Sequence, residues 1–152
     1  MGEWVFGCDI CQDACPVNRK AAPGNHPEFS PEQGIGPSPD LIELLEMGEE
    51  EFRARYRHSP VKRAKLQGMQ RNAAIALGNI GDPSAVAALT NALNGQYELV
   101  RGHAAWALGR IGGERARSAL SKRREAEEVE WVREEIAEAL AELAQVGSLP
   151  GQ

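Results

Sequence analysis

From Met69 to the C-terminus, apolar residues return every three or four positions, the period of a helix with one buried face. The pattern is also repeated as a block. "NAAIALGNIG", which starts at Asn72, recurs as "HAAWALGRIG" 31 residues later, and "VREEIAEALAEL" begins 32 residues after the "VRGHAAWALG" that opens at Val100. Repetition at that period in a helical context implies stacked helix pairs, each burying its apolar side on the next. The copies divide as 69–99, 100–131 and a partial 132–146. Ala73, Ile75, Ala76, Leu77 and Ile80, then Ala104, Trp106, Leu108 and Ile111, are the expected packing positions between layers, and Trp106 and Trp131 are read as core-facing aromatics. The glycine after each "AL" is read as the end of the first helix of its unit, while "GDPS" offers an N-cap and a first-turn proline for the next helix. The last copy keeps Ile136, Ala139, Leu140 and Leu143 but is otherwise rich in glutamate, which suits a solvated capping helix.

Upstream the periodicity is shorter. Asp40 is placed to cap a helix with Glu43 at its third position; Leu41, Ile42, Leu44, Leu45 and Met47 form an apolar face before Gly48 stops it. A second helix is expected across "EEEFRARYRHS", with Phe52 and Tyr56 four apart on one side, and Pro60 ends or interrupts it. Residues 1–40 hold every cysteine and most of the prolines, and "APGNHPEFSPEQGIGPSPD" has no sustained period, so 24–39 reads as a linker. The expected fold class is therefore all-α: an irregular cysteine-bearing N-terminal segment followed by an α-helical repeat domain. The repeats resemble HEAT-like units of the short type, whose usual signature is V-R-x-x-A-x-x-A-L-G.

At 152 residues the chain has enough sequence for one modest core. No apolar run is long enough to cross a bilayer and no secretory h-region is present, so a cytoplasmic protein that does not bind membranes is expected. In that compartment Cys8, Cys11 and Cys15 read as metal ligands or redox thiols rather than a disulfide, since their number is odd. The net charge of -5 argues against a generally cationic nucleic-acid binder, yet its distribution is uneven. Arg53, Arg55, Arg57, Lys62, Arg63, Lys65 and Arg71 follow one another with no Asp or Glu between them. A cation cluster without compensating acid attracts phosphates. The polar trio Gln70, Arg71 and Asn72, read as the start of the first repeat helix, offers further donors to an anion. The bland alternative, a solvated helix face, is weaker here because nearly half of the chain's cations fall in this stretch.

The cysteines form C-x2-C-x3-C-P, which resembles the bacterial ferredoxin run C-x2-C-x2-C-x3-C-P with one cysteine missing; in the ferredoxin pattern the cysteine before proline serves a second cluster. By that logic Cys8 and Cys11 bind one cluster and Cys15 another, and the remaining ligands lie outside this chain. A zinc site completed by His26 is the competing reading, disfavoured because zinc ligands usually come as two short hooks and only one exists here.

"GCDICQDACPVNRKA", then a leucine-rich helix, "EEEFRARYRHSPVKRAKLQGMQRNAAIALGN" and HEAT-like repeats together resemble the C-terminal portion of the epoxyqueuosine reductase family over residues 6 to about 143. Members of that family are cobalamin-dependent, iron–sulfur oxidoreductases that form queuosine at the tRNA wobble position. One departure is Val17, where the family commonly has tryptophan. The resemblance implies that 1–23 is the C-terminal half of a ferredoxin-like cluster region, with Cys8 and Cys11 on the second 4Fe-4S cluster and Cys15 on the first. It implies that Asp9 and Ile10 lie against cobalamin, and that 40–68 with the start of the repeats contacts the tRNA anticodon stem-loop through Ser59, Arg63, Lys65, Gln70, Arg71 and Asn72. It also implies partners: an N-terminal catalytic portion carrying the cobalamin domain and catalytic acid, and an external electron donor. No catalytic residue is assigned in this chain, which is expected to be inactive alone. The rival readings are a stand-alone HEAT-repeat interaction module with a zinc or vestigial cysteine site, and a small electron carrier.

Overall fold

The computed structural model describes residues 2, 4–8, 10–22, 24 and 38–146. Asp9, His26 and most of the 24–39 linker lie outside them. Among the described residues the fold is all-helical: α1 (Ile10–Ala14), α2 (Leu41–Glu46), α3 (Glu49–Arg55), α4 (Lys65–Ile80), α5 (Val86–Leu93), α6 (Glu98–Ile111), α7 (Glu114–Ala126) and α8 (Glu130–Val146), with short 3-10 turns at Asn18–Lys20, Pro60–Ala64 and Pro83–Ala85. The cysteine segment is thus partly helical rather than irregular.

Local chemistry sets the starts. Asp40 Oδ1 accepts from the N–H groups of Ile42 and Glu43 at 2.9 and 3.0 Å, and Leu44 and Leu45 of the helix so begun are buried. Phe52 and Tyr56 pack ring to ring with centroids 4.8 Å apart, Tyr56 closing α3. Ser59 Oγ then accepts from the Val61 N–H at 3.2 Å and Pro60 opens a 3-10 turn, its missing N–H costing nothing there. Asp82 accepts from the Ser84 N–H at 2.8 Å ahead of α5, as "GDPS" suggests.

Helices α4, α6 and α8 form one layer in which each packs on the next; α5 and α7 lie behind, and α2 packs on α4 and α5. The first repeat helix begins at Lys65, not at Met69, because Leu66 and Met69 are both buried on the same side as Ala73. Gln70, Arg71 and Asn72 are therefore mid-helix, and their backbone amides are not at a free helix N-terminus.

The glycines after "AL" are not helix ends. Gly78 and Gly109 sit inside α4 and α6, where a Cβ on Gly78 would come within 2.9 Å of Ala107 Cα and one on Gly109 within 3.0 Å of Ala139 Cα. They are gaps that let α4 approach α6 and α6 approach α8. The caps lie three residues further on: Gly81 is left-handed at φ 74° with its N–H on the Leu77 carbonyl, and Gly112 at φ 78° bonds the Leu108 carbonyl. Ala73, Ala76, Leu77, Ala104 and Leu108 are buried as expected, Ile75, Trp106 and Ile111 are half-buried, but Ile80 and Trp131 are exposed. Ile80 occupies the last turn of α4, beyond the reach of α6, and Trp131 lies on the surface of the layer over Gly102.

One buried ion pair fastens the start of α6 to the connection between α7 and α8. Arg101 and Glu127 are 8% and 3% exposed. Arg101 Nε and Nη2 donate to the two Glu127 oxygens at 2.8 and 2.9 Å, and Arg101 Nη1 donates to the Gly95 and Gln96 carbonyls. Arg123 and the Val129 N–H also donate to the Glu127 carboxylate. Burial alone pushes this carboxyl up; the bonds from Arg101, Val129 and Arg123 outweigh it and hold its pKa at about 2.

Candidate functional site

The cysteine arm consists of short-range structure. Cys11 is on α1, Cys8 precedes it, and Cys15 follows its last residue; all three thiols are free, Cys8 and Cys11 exposed and Cys15 half-buried. The turn after Cys15 is held by Asn18 Nδ2, which donates to Gln12 Oε1 and to the Gln12 carbonyl at 2.8 and 3.2 Å. Among the described residues no three His, Cys, Asp or Glu side chains converge on a metal-sized site. Exposed thiols suit a soft metal centre whose other ligands come from elsewhere. The arm also exposes large apolar side chains: Trp4 at 46%, Phe6 at 44%, Ile10 at 62% and Val17 at 76%. Four such groups within a short arm are unusual for a surface facing only water.

Helix α4 anchors this arm. Asn72 Nδ2 donates to the Val5 carbonyl and Asn79 Nδ2 to the Gly2 carbonyl, both at 2.6 Å, and Val5 packs against the core. Asn72, one of the residues assigned to RNA by sequence, is 8% exposed and spends its amide on that joint. Gln70 is similarly engaged: its Nε2 donates to the Leu45 and Met47 carbonyls at 2.8 and 3.1 Å, tying α2 to α4. Ser59 caps the turn before α4 through its hydroxyl.

The cations fall into two groups. Arg53 pairs with Glu49 at 3.2 Å, and Arg55 pairs with Glu43 and lies 3.9 Å from Glu51. Arg57, Lys62, Arg63, Lys65 and Arg71 have no carboxylate partner among the described residues; Lys62 Nζ reaches only the Arg57 carbonyl and Arg71 Nε only Asn72 Oδ1. Arg57, Lys62 and Lys65 border, with Arg53, a hollow of about 420 Å³ whose apolar lining includes Phe52 and Tyr56. The Tyr56 hydroxyl beneath this surface is buried with no hydrogen-bond partner among the described residues, and burial pushes its pKa up. Lys65, where the 3-10 turn meets α4, has φ 57°, uncommon for a residue with a side chain. Arg63, Lys65 and Arg71 thus carry charge that no carboxylate among the described residues neutralises, while Ser59, Gln70 and Asn72 hold the frame behind them. Helix α4 carries the joint to the cysteine arm and, with the 3-10 turn that leads into it, most of the uncompensated charge.

A family model described as HEAT repeats matches residues 63–141. The epoxyqueuosine reductase of Bacillus cereus is 35% identical over 146 residues, 95% of this chain and 38% of that protein. That of Pseudomonas aeruginosa is 42% identical over 113 residues, 74% of this chain and 31% of that protein. A crystal structure of epoxyqueuosine reductase with a tRNA-Tyr epoxyqueuosine-modified tRNA stem loop superimposes with a TM-score of 0.86 at 34% identity, over 94% of this chain and 38% of that one. The chain therefore spans about 31–38% of the length of these relatives. Match, period and helix layers agree: the chain belongs to the HEAT-repeat family, and nearly all of it corresponds to the smaller part of epoxyqueuosine reductases.

Proposed function

We propose that this chain is the cluster-ligating and tRNA-gripping part of an epoxyqueuosine reductase, which reduces epoxyqueuosine to queuosine at the tRNA wobble position in the cytoplasm. The observation that carries this reading is that α4 holds the cysteine arm through Asn72 and Asn79, while Lys65 and Arg71 on the same helix, with Arg63 on the 3-10 turn that leads into it, carry the uncompensated charge. A base held for chemistry near a metal cofactor needs its backbone gripped close by, and this geometry supplies both from one rigid element.

In that role Cys8 and Cys11 hold one 4Fe-4S cluster and Cys15 a second, the other ligands coming from an N-terminal catalytic portion. Ile10, exposed on α1, and its neighbour Asp9 border the cobalamin edge. When bound, these groups would relay two electrons from an external donor, which with two protons convert the epoxide to an alkene and release its oxygen as water. Arg63, Lys65 and Arg71 fix the phosphates of the anticodon stem-loop; Arg binds them bidentately and Lys as a point charge. The exposed Trp4, Phe6, Ile10 and Val17 dock the arm on the catalytic portion and exclude water there. We assign no general acid to this chain and expect no turnover by it alone.

Two measurements test the reading. In Arg63→Glu with Arg71→Glu, the affinity for a queuosine-family anticodon stem-loop should fall, and its logarithmic salt slope should drop by about one for each phosphate no longer neutralised. An unchanged affinity and slope would remove the RNA assignment. Anaerobic reconstitution of the full-length protein should load iron and sulfide with the absorbance of 4Fe-4S clusters; a stable zinc complex with no iron uptake would sink the redox role of the cysteines.

A further inference from the structure

Residues of all three helices of the α4–α6–α8 layer meet at a partly open cleft. Ile75 of α4, Gly102, His103 and Trp106 of α6, and Trp131 and Glu135 of α8 line a cleft of about 270 Å³. Both indoles are held in place. Trp131 lies on the α6 backbone so closely that a Cβ on Gly102 would come within 2.1 Å of its ring, and half-buried Trp106 packs against the core with its ring edge over Gly78. His103 Nδ1 lies 2.8 Å from the Leu99 carbonyl and donates to it, which fixes the ring beside the cleft.

Glu135 lacks what its setting calls for. It is half-buried, and no described residue gives it a hydrogen bond or an ion pair. Burial pushes its carboxyl up, Glu138 and Glu142 push the same way, and His103 opposes them. The cation of α8, Arg133, is committed to Glu130 and to the Glu127 carbonyl. The cleft therefore offers two aromatic faces and an unneutralised carboxylate, within a helix that carries five glutamates from Glu130 to Glu142. A phosphate-bearing ligand would be repelled there. A planar, weakly hydrated cation fits: it stacks on an indole face and pairs with a carboxylate at once. We propose that this cleft receives the guanidinium of an arginine from a basic segment of a partner protein, stacked against Trp131 and Trp106 and paired with Glu135.

The inference stands apart from the tRNA reading, since it uses neither the cysteines nor the basic surface. It is tested by NMR on the indole N–H signals of Trp4, Trp106 and Trp131, titrated with a capped Gly-Gly-Arg-Gly-Gly peptide and with its neutral citrulline counterpart. The arginine peptide should shift the Trp106 and Trp131 signals saturably and leave Trp4 unmoved, while the citrulline peptide shifts neither. Glu135→Gln should weaken binding roughly fivefold or more, whereas Glu125→Gln, an equal charge change on exposed α7, should not. The proposal is overturned by the absence of a saturable shift, by equal binding of the citrulline peptide, or by unchanged affinity in Glu135→Gln. Saturable shifts of Trp106 and Trp131 by an RNA stem-loop would overturn it in favour of base stacking.

Discussion

Adding one methyl group at each of two buried glycines should move stability in opposite directions. In α6 a Cβ on Gly109 would sit 2.8 Å from Ala139 Cβ and 3.0 Å from Ala139 Cα. Carbon atoms rest about 3.5–4.0 Å apart, so α6 and α8 would have to part locally by about 0.7 Å or more. Neither atom of Ala139 is the end of a flexible side chain that could swing away. Overpacking of this kind costs about 1–3 kcal/mol, against a gain of about 1 kcal/mol from replacing glycine by alanine inside a helix. Gly109→Ala should therefore be destabilised by about 1 kcal/mol, and by at most about 2. Gly68 in α4 is also buried, yet its added Cβ would find its nearest neighbour, Ala64 Cβ, at 3.7 Å, an ordinary contact. Only the propensity gain acts there, and Gly68→Ala should be stabilised by about 0.5–1 kcal/mol. Urea unfolding followed by circular dichroism reads both. With a slope of about 1–3 kcal/mol per molar urea, the midpoint should fall by about 0.3–1 M in the first variant and rise in the second. A Gly109→Ala protein as stable as the wild type would show that close approach is not what this glycine provides.

Stability should also fall in acid for a reason located at Glu127. Its folded pKa of about 2 lies below the ordinary 4.5, so its contribution, worth about 3 kcal/mol, is complete above pH 4.5 and is lost as pH falls through 2. Glu127→Gln should flatten that part of the urea-midpoint profile and lose about 3–5 kcal/mol at neutral pH, where Arg101 is left buried without its partner; a profile identical to wild type would contradict the assignment. Asn72→Ala should loosen the cysteine arm by about the 1 kcal/mol of one hydrogen bond, seen as several-fold faster amide exchange around Val5, while lowering stem-loop affinity less than Arg71→Glu does. The opposite ranking would make Asn72 an RNA contact.

The period of the repeats, the Asp40 and Asp82 caps and the break at Pro60 are local signals, and local signals are readable in the sequence. The glycines mislead for an instructive reason. "LGNIG" and "LGRIG" each contain two glycines, and a linear pattern cannot tell which one ends the helix and which one admits a neighbour; only the position of Ala107 and Ala139 decides it. The Arg101–Glu127 pair joins residues 26 apart across two turns, so nothing in either neighbourhood announces it. Gln70 and Asn72 illustrate the same limit at the candidate site. Their polarity beside a cation run suggests contacts with a ligand, but long-range packing gives their amides the Leu45, Met47 and Val5 carbonyls instead. Arginine and lysine at Arg63, Lys65 and Arg71 escape this fate because the nearby acids are already taken, Glu49 by Arg53 and Glu43 by Arg55.

That sorting of charge gives the net value of -5 a structural meaning. The excess cations stand at the α3–α4 end of the layer, and the excess carboxylates on α8 at the other. Packed helices are spaced about 8–10 Å apart, so α4 and α8, separated by α6, are roughly 16–20 Å from axis to axis. The Debye length at physiological salt is about 8 Å, and fields from the exposed groups at one end are largely screened at the other. The two surfaces should therefore act independently. Glu135→Gln should leave anticodon stem-loop affinity unchanged at physiological salt, and Arg63→Glu should leave arginine-peptide binding at the Trp131 cleft unchanged. At about 0.01 M salt, where the Debye length grows to about 30 Å, each substitution should begin to affect the other surface. Coupling that persisted undiminished at high salt would refute this electrostatic picture and require a mechanical link through α6.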